Sequence, residues 1–82
     1  MEYNFRLADV PKGQSTTIHK ICCSARDASR LAPLGIVRGT DVEVLRNSRG
    51  GAVLVEVRNT VVALSRFVAE NITVREGSHE QS

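Results

Sequence analysis

Val53-Leu54-Val55-Glu56-Val57-Arg58-Asn59-Thr60-Val61-Val62-Ala63-Leu64 reads as two β-strands joined by a tight turn. Val53, Val55 and Val57 recur at every second position, with Leu54, Glu56 and Arg58 between them. That two-residue period places the valines on one buried face. Arg58-Asn59-Thr60 is short enough for a hairpin turn. Val62 and Leu64 continue the inner face on the return strand, which leaves Val61, Ala63 and Ser65 pointing outward. Working back toward the N-terminus, Val42-Glu43-Val44 alternates in the same way and predicts another half-buried strand. A polar loop over 46–51, ending Arg49-Gly50-Gly51, separates it from the hairpin.

Further upstream, 14–21 is rich in β-branched residues and predicts a strand. Ile18 and Ile21 stand at odd separation, so strict alternation would set them on opposite faces. Either a bulge lies between them or both faces are covered. Ser24 is a good N-cap for a helix whose apolar stripe is Ala25, Ala28, Leu31 and Ala32. Pro33 disfavours helical geometry at Ala32, so the helix stops near Leu31 and a tight turn leads to Gly35. Gly35 is placed to take the left-handed conformation that ends a helix, and Gly39 opens a second turn. Met1 to Phe5 reads as an extended lead-in, and Leu7 to Gly13 as a turn. Downstream, 66–71 has room for one helical turn, and Ile72-Thr73-Val74 predicts a last short strand. The expected organisation is one domain over 1–75 followed by a disordered polar tail over 76–82.

The chain has 82 residues, enough for one domain only. The pattern predicts a mainly β fold of about five strands, with one helix inserted after the first and the sheet curled into a small barrel. Aromatic residues make up 4%, namely Tyr3, Phe5 and Phe67, so the core must be aliphatic. Three rings cannot supply a stacking platform for single-stranded nucleic acid or an aromatic groove for proline-rich peptides. The formal net charge of +2 is mild and the basic residues are scattered, which argues against a dedicated nucleic-acid surface. Apolar runs are short, so direct membrane insertion is not expected. The charged N-terminal stretch contains no secretory core, and the expected location is cytoplasmic.

Parts for catalysis are missing. Nucleophilic chemistry needs Ser or Cys beside a base, and the only histidines are His19 and His79. Gly50 and Gly51 are not a phosphate-binding loop, since no Gly-x-x-x-x-Gly-Lys-Ser/Thr pattern exists and no long helix follows them. His19, Cys22 and Cys23 have spacing that can coordinate zinc, yet a structural zinc site usually takes four protein ligands. On an extended strand residues 19 and 22 face opposite ways. The expectation is therefore no enzyme activity, no cofactor, no small-molecule substrate and no resident metal. What remains is protein binding. Leu54 and Val61 form an outward apolar pair that Arg58 and Arg66 could rim. Either this face stays open to a partner, or the helix covers it.

An ordered set of motifs points the same way. Leu7, Gly13 and Ile18 lead to Arg30-Leu31-Ala32-Pro33-Leu34-Gly35-Ile36-Val37-Arg38-Gly39-Thr40. Then come Val42-Glu43-Val44, Val53-Leu54-Val55-Glu56-Val57, Val62-Ala63-Leu64-Ser65-Arg66 and the Ala69 to Val74 ending. Together they resemble the FeoA family across nearly the whole chain. Two positions depart from the family pattern, which often has proline where Arg38 and Ala52 stand. The resemblance implies an SH3-like barrel and an accessory role in ferrous iron uptake beside FeoB. FeoB is the membrane transporter whose cytosolic part hydrolyses GTP. It also implies an alternative, a regulatory domain like the C-terminal domain of iron-dependent repressors; the spacing of His19, Cys22 and Cys23 leaves a weak transition-metal-binding module as a further alternative. A repressor needs a helix-turn-helix reader, for which this sequence leaves no room.

Overall fold

A computed structural model describes residues 4–76. Six strands form one antiparallel sheet: β1 (Asn4–Arg6), β2 (Ser15–Ile21), β3 (Asp41–Asn47), β4 (Val53–Val57), β5 (Thr60–Leu64) and β6 (Ile72–Glu76), in the spatial order β1-β6-β2-β3-β4-β5. Helix α1 (Ala25–Leu31) follows β2, and the short α2 (Arg66–Glu70) precedes β6. The sheet thus has one strand more than the sequence predicts. The extended lead-in pairs with β6, Phe5 opposite Val74 and Arg6 opposite Thr73. Strand β6 also takes in Glu76, and the remainder of the expected tail, 77–82, lies outside the described residues.

The core is aliphatic throughout. Its largest fully buried side chains are Leu7, Ile18, Ile36 and Ile72 with five valines. Each such burial contributes roughly 1.5–3 kcal/mol against exposure. The valines of the hairpin supply three of the five, because period two keeps Val53, Val55 and Val57 on the inner face. In β2 the register shifts between Ile18 and Lys20, so His19 is a bulged extra residue. The bulge resolves the odd spacing: Ile18 is fully buried and Ile21 still packs against the core. A second shift between Val44 and Arg46 makes Leu45 the extra residue of β3. It carries that strand on to Asn47, into what the sequence presents as loop.

Helix α1 begins where expected. The Ser24 hydroxyl accepts from the Asp27 backbone N–H at 3.2 Å, satisfying one donor of the first turn. After Leu31 the chain tightens into a 3-10 turn over Ala32–Leu34 and ends on Gly35 at φ 91, ψ 3. Gly35 is buried against the hairpin. A Cβ there would lie 3.0 Å from Val57 Cγ1 and 3.4 Å from Arg58 Cδ. Both the sign of φ and the approach of the backbone therefore require glycine.

Candidate docking face

The β4–β5 hairpin closes through Arg58 and Asn59, both with positive φ (52 and 67). Two such residues in succession make the type I′ turn that matches the twist of paired strands. Leu54 stands opposite Ala63, Glu56 opposite Val61, and Val55 opposite Val62. Leu54, Glu56, Val61 and Ala63 thus share the outer face, with Leu54 and Val61 diagonal neighbours. Helix α1 leaves Val61 uncovered: it is 57% exposed, while Leu54 is partly buried. Arg58 is exposed at the turn, its aliphatic stem against Gly35. That contact seats the α1–β3 connection on the turn end of the hairpin, and the same connection carries Leu34 and Val37, both exposed.

Arg66 is placed elsewhere. It opens α2, and its guanidinium turns into the protein to make four hydrogen bonds. Nε donates to Gly51 O at 2.9 Å, Nη1 to Ala8 O at 3.3 Å, and Nη2 to Asn47 Oδ1 at 2.6 Å and Ser48 O at 2.7 Å. Asn47 completes the cluster by donating from Nδ2 to Ala8 O and Val10 O at 2.9 and 2.8 Å. A side chain expected to rim the outer face instead clasps the turn after β1 to the β3–β4 loop. Its planar fork of donors is what lets one residue reach four acceptors. Sequence reasoning missed this clasp because three of the four acceptors are backbone carbonyls, which every residue type offers.

The three candidate metal ligands do not converge. Cys22 is exposed, whereas Cys23 is partly buried with its thiol 4.0 Å from Val68 O. Burial pushes the Cys23 thiol pKa up, with the Asp27 carboxylate adding to the effect. His19 lines a pocket of about 280 Å³ with Lys20, Ile21 and Arg38, whose two cations oppose a third. Among the described residues no three His, Cys, Asp or Glu side chains gather as a metal-binding group. No helix among them is long and apolar enough to cross a membrane.

The FeoA domain family model matches residues 5–76. The chain belongs to the FeoA family. Among solved structures, the FeoA protein of Chlorobium tepidum superposes with a TM-score of 0.81 at 27% identity, covering 88% of this chain and 70% of that one. The FeoA of Stenotrophomonas maltophilia, a prokaryotic SH3 domain protein solved in complex with zinc, does so with a TM-score of 0.71 at 29% identity, covering 90% and 88%. IdeR of T. acidophilum matches with a TM-score of 0.79 at 21% identity. It covers 90% of this chain but 34% of its own, so it shares the fold of one part of the repressor. No curated protein sequence matches the chain. FeoA membership gives the protein an SH3-like fold and a role in ferrous iron transport, in a family of accessory proteins and not of known enzymes.

Proposed function

We propose that this FeoA protein works in the cytoplasm by docking onto the cytosolic part of a FeoB-type ferrous iron transporter, with no chemistry, cofactor or small-molecule substrate of its own. The domain over 1–75 is the docking unit, and neither nucleic acid nor the bilayer itself is its partner. The observation that carries the reading is Val61. It is a large aliphatic side chain more than half exposed on a rigid hairpin, in a domain whose other hairpin valines are almost wholly buried. Leu54 lies diagonal to it, and Arg58 stands at the turn. An apolar centre with an arginine at its edge is the usual anatomy of an interface hot spot. Arg66 supports the face from behind by holding the β3–β4 loop, and is not a contact residue.

Binding of the transporter's soluble domain, or of membranes containing the transporter, tests the proposal. Val61→Glu is expected to weaken binding about tenfold or more, the effect of losing a central anchor. Leu54→Glu and Arg58→Ala weaken it less, and Arg49→Ala in the β3–β4 loop leaves it unchanged. Circular dichroism first confirms that each variant is folded. A folded Val61→Glu that binds like wild type moves the face elsewhere. Wild type that binds no form of the transporter removes the assignment, and capture of DNA instead would favour a repressor-like regulatory domain.

A further inference from the structure

The β5 strand is one edge of the sheet, with β4 as its sole ladder partner among the described residues. The type I′ turn makes Val57 and Thr60 the hydrogen-bonded closing pair of the hairpin. By the alternation of an antiparallel ladder, Val55–Val62 and Val53–Leu64 are hydrogen-bonded pairs as well. The backbone N–H and C=O groups of Val61 and Ala63 therefore point away from β4, off the edge. Among the described residues no turn, loop or cap hydrogen bond reaches either residue, and both side chains are exposed.

Natural edge strands are usually guarded by a charge, a proline or a bulge. Thr60-Val61-Val62-Ala63-Leu64 has none of the three: it contains no charged residue, and its five-residue register to β4 is unbroken. At the opposite edge β1 has three residues, one of them Arg6. The two edges are thus treated differently by the same sequence.

We propose that β5 is a self-association edge, on which a second copy of this chain adds its own β5 in antiparallel fashion. The strand is self-complementary about Val62. With the two-fold axis at Val62, Val61 of each copy stands opposite Ala63 of the other. These are the two residues whose N–H and C=O groups point outward, so both pairs fall in hydrogen-bonding register and all the free groups of the edge are satisfied. A dyad at Val61 or Ala63 would instead oppose outward groups unevenly. Because β5 is uncharged, two copies meet along it without like-charge repulsion. The interface is isologous and closes at two copies. It is also small, being one strand pair with the Val61 and Ala63 side chains beside it, so it belongs to the weak and transient class. The dimer brings the two outer faces carrying Leu54 and Val61 side by side.

The test uses the purified chain alone, so it stands or falls independently of transporter binding. Sedimentation equilibrium from micromolar to millimolar protein is expected to show a monomer–dimer equilibrium. Amide hydrogen exchange over the same range is expected to slow at Val61 and Ala63 as concentration rises, and not at the exposed 48–50 loop. Val61→Pro removes an edge donor without touching the ladder to β4, and is expected to weaken the dimer at least about tenfold. A chain that stays monomeric at millimolar concentration overturns the proposal. So does a dimer whose Val61 and Ala63 amides exchange freely, a result read on wild type that needs no variant to fold. A folded Val61→Pro that dimerises like wild type overturns it too.

Discussion

Replacing Gly35 with alanine separates two costs that the structure superposes at that position. The first is conformational, since φ is +91 and an L-residue held in left-handed geometry loses about 1–2 kcal/mol. The second is steric. The new Cβ would meet Val57 Cγ1 at 3.0 Å, a buried group on a core strand, and overpacking of this kind costs about 1–3 kcal/mol. Gly39 is the internal control. Its φ is +90, yet nothing lies within 4 Å of a Cβ built there, so Gly39→Ala carries the conformational cost alone. Urea unfolding followed by far-ultraviolet circular dichroism should place Gly39→Ala about 1–2 kcal/mol below wild type and Gly35→Ala about 2–5 kcal/mol below it. For a domain whose whole stability is on the order of 4–12 kcal/mol, the second value is a large fraction. Val57→Ala removes the methyl that the new Cβ strikes. In a double-mutant cycle it should return about 1 kcal/mol of coupling. Equal losses for the two glycine variants, or strict additivity with Val57→Ala, would refute the claim that close approach to the hairpin is part of what Gly35 provides.

Arg66→Ala leaves Asn47 Oδ1 and three carbonyls without their shared donor, and is expected to cost about 2–3 kcal/mol. Arg66→Lys should recover less than half of that in the same urea titration, because an ammonium cannot span the four acceptors. Cys22 should be alkylated by iodoacetamide faster than Cys23, whose thiol is partly buried and has a raised pKa; peptide mapping by mass spectrometry reads the order, and the reverse order would place the two side chains wrongly. The Arg6 side chain, hydrogen bonded to Asp9 at 2.8 Å, lowers the Asp9 carboxyl pKa. A lowered folded-state pKa stabilises above the unfolded value and is lost as pH falls through the folded one. Wild type should therefore be more stable than Asp9→Asn near neutral pH and low salt, with the small difference vanishing in acid and shrinking in high salt.

The hairpin is legible in the sequence because its evidence is local. Val53, Val55, Val57, Val62 and Leu64 keep period two on either side of a two-residue turn, and nothing distant is needed to read them. The helix end is legible for the same reason, since Ser24, Pro33 and Gly35 act through backbone geometry within a few residues. Strand β1 is not legible, because three residues show no periodicity and their partner, β6, lies at the other end of the chain. The extension of β3 to Asn47 is hidden by the bulge at Leu45, which breaks the alternation. At the candidate face, alternation correctly sets Leu54 and Val61 outward. It cannot show that Val61 stays uncovered, because that depends on where α1 packs. Arg66 defeats sequence reasoning for a different reason: an arginine at a helix start looks the same whether it faces solvent or a nest of carbonyls.

The position of β6 has a consequence for how the protein is made. Of the described strands β6 comes last in chain order, yet it inserts between β1 and β2, the first two. Until β6 is available, β1 has no ladder partner among the described residues and β2 has one flank open. The hairpin can form early, but the core it faces stays incomplete until Ile72 and Val74 are clear of the exit tunnel. Loss of β6 would not fray one margin of the sheet. It would remove a plank from its interior and leave two raw flanks facing each other across the gap, a form suited to the quality-control proteases and to little else.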